Sequence, residues 1–279
     1  MILVTGASGC LGRLVADLLE GVWAPDRAEL DMERPEDLFR VICRKKPRAI
    51  VHAGAWTDVD GCEKEPGKAF TVNWLATRAI ASAAIKCEAT LLYISTDYVF
   101  DGARSIYREH DEPNPLNIYG KTKLWGEREV LRVTESYVVR TSWVFGPGGR
   151  SFLSRFLDMA AAGKPLTAIT DQVSRPTYAP HLASFLMDFA RARLPFGIYH
   201  LAGATDATYL DFISRGLEIA GIKANMKAVP SSKLKRPARR PARSSLSSEA
   251  YAVFTGKAIP AWEETLEEYV EWWKVSREK

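Results

Sequence analysis

The sequence predicts an α/β protein built on a doubly wound parallel sheet, with a smaller C-terminal lobe. Three observations predict it: a strand-length apolar run ending in a glycine-rich turn at the N-terminus, apolar runs alternating with helix-period segments through the first half, and loss of that rhythm after about residue 145. At 279 residues the chain is long enough for one large α/β unit carrying a second lobe.

Met1 to Thr5 is the first strand and Leu11 to Leu19 the first helix, with Leu11, Leu14, Val15, Leu18 and Leu19 at helical spacing. Pro35 to Lys46 is the next helix and Ala49 to Ala53 the next buried strand. Phe70 to Lys86 is rich in alanine, which favours helix, and it precedes the strand Leu91 to Ile94. Tyr119 to Leu131 then reads as helix and Tyr137 to Trp143 as strand. A helix between successive strands is a crossover, and crossovers make the strands parallel. Farther on, Phe152 to Ala162 and Tyr209 to Ala220 are helical, Gly197 to Leu201 is a late strand, and an acidic, Trp-rich helix spans Trp262 to Trp273. Between the last two helices, KLKRPARRPARSSLSS from Lys233 to Ser248 is an ordered loop or a flexible arm.

A hydrophobic share of 47% with 26% charged residues is that of a globular protein and excludes a disordered chain. The net charge of +4 does not argue for nucleic acid or membrane. No apolar stretch reaches the roughly 20 residues of a membrane span, and the chain enters a strand at once, so the expectation is a cytoplasmic protein. Cys10, Cys43, Cys62 and Cys87 form no CxxC pair and have no ligand spacing, which predicts free thiols and no metal site.

Gly6, Gly9 and Gly12 in GASGCLG follow a strand and open a helix, so the backbone can approach a pyrophosphate while the helix N-terminus offers unpaired N–H groups. This is the phosphate cradle of a Rossmann-type dinucleotide fold, and a tight turn that merely packs helix on strand is the alternative. We therefore expect an NAD(P)-binding unit over residues 1–145, with segments near 171–203 returning to it, and a mainly substrate-binding lobe over 146–279. After the second strand, Asp26 suits the free 2′-hydroxyl of NADH and Arg27 the 2′-phosphate of NADPH, and the choice stays open. Ala53, Gly54 and Ala55 end a strand with side chains small enough for a cofactor to cross the sheet edge. His52, beside them, reads as a core histidine, since no metal partner stands at a useful spacing.

The segments YISTDYVFDG, from Tyr93, and NPLNIYGKTK, from Asn114, place a Ser-Thr pair at a strand end, and Tyr119 one helical turn before Lys123. A turn apart means one shared face. A phenol with a pKa of about 10 is a poor proton relay, and an ammonium close by is expected to draw that value down. Thr96 can hydrogen-bond the phenol or a substrate oxygen, which completes a catalytic set of Tyr119, Lys123 and Thr96. No GxSxG elbow is present, so a serine hydrolase falls away.

These motifs occur in order with LDM from Leu30, HAGAWTDVD from His52, RTSWVFG from Arg140, DQVSRPT from Asp171, YHLAG from Tyr199 and RPARRP from Arg236. Together they resemble the dTDP-4-dehydrorhamnose reductase family over nearly the whole chain. The resemblance implies hydride transfer from NADPH or NADH to C4 of a keto sugar nucleotide, with Tyr119 as proton donor. It implies that Gly9, Cys10, Leu11, Asp26, Asp31, Met32, Ala55 and Thr57 line the cofactor, with Tyr119 and Lys123 at the nicotinamide ribose. Thr96, Asp97 and Trp143 would face the sugar nucleotide, although Trp143 also fits a buried aromatic closing its strand. Two positions depart from the family pattern: Cys10 replaces a glutamine and Ser174 a glycine. Between Glu218 and Glu249 every formal charge is positive, which suits a diphosphate or a solvated loop. That arm lacks the aromatics that stack on single-stranded nucleic acid. A homodimer is the expected assembly. The competing readings are another nucleotide-sugar reductase or epimerase, and a non-catalytic dinucleotide-binding subunit.

Overall fold

The computed structural model describes residues 1–149, 151–191 and 194–277. The first part of the chain runs β1 (Ile2–Thr5), α1 (Cys10–Leu18), β2 (Val22–Trp23), α2 (Pro35–Lys45), β3 (Ala49–His52), α3 (Val59–Lys64), α4 (Pro66–Ala69), α5 (Ala76–Cys87), β4 (Thr90–Thr96), α6 (Ile118–Val130), β5 (Ser136–Thr141) and β6 (Val144–Phe145). It continues through α7 (Phe152–Ala161), β7 (Leu166–Ile169), β8 (Val173–Ser174), β9 (Thr177–Tyr178), α8 (Ala179–Arg191), β10 (Gly197–His200), β11 (Ala207–Thr208), α9 (Tyr209–Ala220), β12 (Met226–Val229), α10 (Glu249–Thr255) and α11 (Trp262–Arg277).

Six strands form one parallel sheet in the order β10-β5-β4-β3-β1-β2. Successive side chains on a strand point to opposite faces, and the apolar runs obey this. Leu3, Ile50, Leu91 and Val138 pack against α2 and α5 through Leu38, Ile42 and Ile80. Their neighbours Val4, Val51, Leu92 and Val139 pack on the other face against Val15 of α1 and Leu182 and Leu186 of α8. Each such fully buried side chain contributes about 1.5–3 kcal/mol. A separate core of Leu153, Leu157, Phe212, Leu266 and Tyr269 holds α7, α9 and α11 together.

The chain steps outward from β1 to β2 and then crosses to β3 on the opposite side of β1. Such a reversal opens a crevice beyond the carboxyl ends of the strands. Into it point the glycine turn after β1 and the Ala53–Ala55 segment after β3.

Two elements differ from expectation, and a third settles an open choice. The alanine-rich helix begins at Pro66, and between α4 and α5 it winds as a π-helix over Phe70–Leu75, a form often found beside functional sites. The strand expected through Trp143 stops at Thr141, because Trp143 adopts φ +41° and turns the chain toward β6, which pairs with β9. The basic Pro-Arg segment is an ordered loop: Arg240 holds Asp60 through two 2.8 Å hydrogen bonds, and Asn117 Nδ2 donates to the Arg239 carbonyl at 2.8 Å. Its later part runs beside β8, where the Val173 N–H donates to Ala242 O and the Ser244 N–H to Val173 O.

Candidate active site

Thr5 ties the ends of β1 and β3 together: its Oγ1 lies 2.7 Å from His52 Nδ1 and accepts the Gly54 N–H at 3.2 Å. Gly6 follows with φ +72°, and a Cβ there would sit 2.6 Å from Gly54 N. A Cβ on Gly12 would meet Gly6 O at 2.2 Å. Any side chain at either position would push the turn off the sheet. Gly9 is the N-cap of α1 and provides no side-chain cap, so the first-turn N–H groups of that helix are left for a ligand. The cradle fits a dinucleotide pyrophosphate. His52 is fully buried between Thr5 and Thr77, and burial, assisted by the charge of Lys123, lowers its pKa to about 3. It is a neutral core histidine. Cys10 donates its thiol to Pro147 O at 3.1 Å, and burial raises its pKa to about 11, so it acts as a protonated spacer that holds the 147–149 loop over the glycine turn.

Two adjoining clefts meet at this turn, sharing Gly6, Ser8, Gly54 and Ala55. One, of about 380 Å³, is also lined by Asp26, Arg27, Asp31 and Met32. Asp26 Oδ1 accepts the N–H groups of Ala28 and Glu29 at 2.8 and 3.0 Å, which shapes the loop. Arg27 is 71% exposed and pairs with Glu33 at 2.5 Å and Asp31 at 3.5 Å. Sequence reasoning missed Glu33, Trp56 and Lys68 in this cleft: Lys68 pairs with Glu33 at 3.1 Å and lies 5.2 Å over the Trp56 ring. Trp56 sat unassigned within HAGAWTDVD, while no motif marks Glu33 or Lys68, the latter brought in by α4 from a separate element. The π-helix has its use here, as Asn73 on it accepts the Trp56 N–H at 2.8 Å and donates to Trp56 O at 3.0 Å, fixing the segment after β3.

The other cleft, of about 600 Å³, is lined by Gly9, Cys10, Leu11, Gly12, Ala53 and Thr57 on the turn side and by Thr96, Asp97, Tyr119, Lys123 and Trp143 opposite. Thr96, the last residue of β4, donates to Asp97 Oδ1 at 3.1 Å and accepts the Tyr98 N–H at 3.2 Å, and its hydroxyl stands on the same cleft wall as the Tyr119 phenol. Asp97 is buried with both oxygens engaged, since Ser174 and Ser244 donate to Oδ2 at 3.1 and 2.5 Å. Burial raises the Asp97 pKa to about 6 against the pull of these hydroxyls. Ser174, one of the two departures from the family pattern, thus ties the C-terminal part of the chain to the end of β4.

Asn117 caps α6 by accepting the Gly120 N–H at 2.8 Å, and this sets the turn that carries Tyr119. Lys123 donates to Ile94 O at 2.7 Å, with its Nζ 4.1 Å from the centre of the Tyr93 ring. The direction expected for the phenol is reversed. Burial holds Tyr119 well above its ordinary range against the pull of the Thr96 hydroxyl, and Asp97 and Cys62 push it further up. Burial also brings Lys123 down to about 7, against the attraction of Glu127. In a dry site desolvation outweighs the pull of an ammonium that is itself losing charge.

Trp143 takes its left-handed backbone at the cleft wall, with its ring centre 4.0 Å from that of Tyr209 and 5.5 Å from that of Phe152. Tyr98 stands edge-on to Tyr119 at 6.1 Å, and Tyr98 and Tyr209 both lie within electrostatic reach of Arg240. Tyr98 sat unnoticed within STDYVFDG, and Tyr209 and Arg240 carry no spacing that links them to it. Among the described residues no group of three or more His, Cys, Asp or Glu is placed to hold a metal ion.

A family profile described as RmlD substrate binding domain matches residues 1–274. A dTDP-4-dehydrorhamnose reductase of Streptomyces griseus is 34% identical over 278 residues, covering 95% of this chain and 91% of that protein. The chain belongs to the dTDP-4-dehydrorhamnose reductase family. Another of its reductases, from Aggregatibacter actinomycetemcomitans, is 39% identical over 76% of each chain. The crystal structure of the Bacillus anthracis reductase in complex with NADP superposes with a TM-score of 0.91 at 30% identity, over 96% of this chain and 97% of that one. Against that reductase fold, the cradle, the two clefts and the Thr96–Tyr119–Lys123 cluster form one continuous surface along the carboxyl edge of the sheet. Among the described residues of this family member no helix is long and apolar enough to cross a membrane.

Proposed function

We propose that this chain reduces the C4 ketone of dTDP-4-dehydro-L-rhamnose with NADPH or NADH, the last step of dTDP-L-rhamnose synthesis. The observation that carries the reading is the placement and state of Tyr119, a buried phenol kept protonated at neutral pH on one cleft wall with Thr96 at the open end of β4 and Lys123. A reductase needs a proton to give, and a raised phenol retains it until the ketone oxygen gains charge.

The bound cofactor supplies the hydride; the chain's residues hold it and handle the proton. The first turn of α1 and Gly6, Gly9 and Gly12 cradle the pyrophosphate, while Asp26, Arg27, Asp31 and Met32 receive the adenosine end. Cys10, Leu11, Ala53, Gly54, Ala55 and Thr57 bound the path between the clefts. Thr96, with its own proton directed to Asp97, stands on the same cleft wall as the phenol, and we assign to it the orienting of the ketone oxygen. As Tyr119 releases its proton, the phenolate attracts the Lys123 ammonium and favours its charged form. Trp143 and Asp97 bound the sugar, and Arg240 of the basic loop lies near Tyr98, which lines that cleft, and Tyr209. The division we propose is a cofactor unit over 1–145, joined by segments near 171–203, and a substrate lobe over 146–279. The small net charge and the lack of a long apolar helix among the described residues support a cytoplasmic protein with no nucleic-acid or membrane partner. A homodimer is the assembly to test by sedimentation.

The deciding assay follows the loss of reduced-nicotinamide absorbance with the 4-keto sugar nucleotide and each nicotinamide in turn. Turnover that Tyr119→Phe abolishes supports the reading. Turnover unchanged in that variant, or confined to sugar nucleotides lacking a 4-ketone, overturns it.

A further inference from the structure

Beneath the cleft lies a pair of charges that the mechanism above does not use. Glu127 stands one helical turn beyond Lys123 on α6, and Arg140 is on β5, with side chains 1% and 2% exposed. Arg140 donates from Nε to Glu127 Oε1 at 3.0 Å and from Nη2 to Oε2 at 2.7 Å, and Ser95 donates to the same Oε1 at 2.5 Å. Ser95 directly precedes Thr96, and Arg140 directly precedes Thr141. Thr96 and Thr141 are partners in the parallel register of β4 and β5. Thr141 lines the cleft and its Oγ1 has no hydrogen-bond partner among the described residues. One carboxylate therefore ties together the neighbours of three cleft residues, on β4, β5 and α6.

The charges around Lys123 give the pair a second role. From β3 it faces His52, which burial keeps neutral, and from β4 the ring of Tyr93, whose phenol burial keeps protonated. On its own helix it has the protonated Tyr119 and the Glu127 carboxylate. Arg140 lies behind that carboxylate, backed by the Phe100 ring at 5.0 Å and by His200, which burial and the guanidinium keep neutral. Glu127 is the anion that acts on the ammonium here. A buried ion pair is a weak stabiliser, because desolvation offsets its attraction and an apolar pair of equal volume serves as well. Stability alone does not call for these charges.

Building on the proposed reaction, we propose that the Glu127–Arg140 pair is a positioning element: it locks the ends of β4 and β5 to the helix bearing Tyr119 and Lys123, and gives the Lys123 ammonium its counter-charge. The pair touches neither substrate nor cofactor and acts through Thr96 and Lys123.

The test compares Glu127→Gln with the apolar double variant Glu127→Leu/Arg140→Met, reading Tm, kcat, KM for the nicotinamide, the pH profile, and the Lys123 titration by lysine-selective carbon NMR. We expect Glu127→Gln to lower kcat roughly 10- to 100-fold with the nicotinamide KM within about twofold. The alkaline fall of kcat and the Lys123 titration should both move to lower pH by about one unit, a tenfold change in proton affinity. The double variant should recover Tm and not kcat. Recovery of kcat together with Tm would make the pair merely structural and overturn the proposal, and so would a Lys123 titration that Glu127→Gln leaves in place. Because NMR reads that titration without turnover, a wild-type chain inactive on the keto sugar would defeat the proposed reaction while leaving the test of the charge pair intact. If Glu127→Gln does not fold, Ser95→Ala removes a single donor from the carboxylate. A several-fold loss of kcat at unchanged Tm supports the proposal, and unchanged kcat counts against it.

Discussion

At the adenosine-side cleft, Asp26, Arg27 and Glu33 stand at the surface, and Arg27 pairs with Glu33 and with Asp31. At the chemical cleft Thr96, Asp97, Tyr119 and Lys123 are buried, and each polar group answers to a specific neighbour. The first cleft is wet, so water and salt screen its charges and single substitutions are worth little. The second is dry: removing one group there leaves a desolvated partner, and burial overrides the pairwise attraction seen in the sequence. The same kind of residue thus has large consequences at one end of the molecule and small ones at the other.

The sharpest break of that contrast lies at Tyr119. Tyr119→Phe keeps the ring and deletes the proton, so kcat should fall about 10²- to 10⁴-fold while the dissociation constant for NADPH, measured by fluorescence titration, changes by less than a few fold. A loss of tenfold or less would mean that another group or water delivers the proton.

Lys123→Met should lower kcat nearly as far and, unlike Tyr119→Phe, should stabilise the fold. The folded Lys123 holds its proton only up to about pH 7, whereas an unfolded lysine does so up to about 10.4. Between those values the unfolded chain binds the extra proton, so wild-type stability rises with pH through that window and is lowered at and below its acid end. Methionine removes the buried charge and leaves Glu127 paired with Arg140. Thermal melts at neutral pH should place the variant roughly 2 °C or more above wild type, with a weaker climb in Tm from pH 7 to 10. A lower Tm across that range would show that the ammonium is better solvated than its burial implies.

How much of this was legible depended on distance along the chain. Gly6 and Gly12 were readable because backbone contact leaves a local mark, glycine at fixed spacing. Tyr119 and Lys123 were readable because a helix converts a spacing of four residues into one face. The sheet was readable through Leu3 and Val4, or Ile50 and Val51, since both faces are covered and both residues of each pair must be apolar. The hydroxyls of Ser174 and Ser244 on Asp97 were not, nor was Arg240 on Asp60, because partners 77 to 180 residues apart meet only when the C-terminal part folds back. The sign of the Tyr119 shift was hidden for a related reason: burial is a property of the assembled core, and no motif states it. Trp143 shows the limit from the other side, where an apolar run reads as strand although the backbone turns left-handed at its end.

Arg240 lies between the wet and dry extremes, at 10% side-chain exposure against 30% for Asp60. Arg240→Ala strands that carboxylate with the Ala238 N–H as its remaining partner from the loop. We expect a cost of about 1–3 kcal/mol in stability, read by urea titration, and a rise of several fold in KM for the sugar nucleotide with the nicotinamide KM unmoved. An equal rise in both constants would show that the loop supports the whole cleft rather than its sugar side.

Arg27 should give the smallest effect and decides the cofactor question left open at the adenosine end. Its ion pairs with Glu33 and Asp31 are exposed, so Arg27→Ala should leave Tm unchanged, as surface pairs contribute about 0–1 kcal/mol. If the guanidinium meets a 2′-phosphate, KM for NADPH should rise roughly three- to tenfold, about 0.7–1.4 kcal/mol, while KM for NADH stays put. Added salt should narrow the wild-type preference, because an exposed pairing is screened within about 10 Å at 0.1 M. An unchanged preference would pass the ribose to Asp26, and Asp26→Asn should then raise KM for NADH alone. That outcome would also show the surface cluster of Arg27, Lys68, Asp31 and Glu33 to be a self-neutralising group that shapes the cleft mouth without reading the ligand.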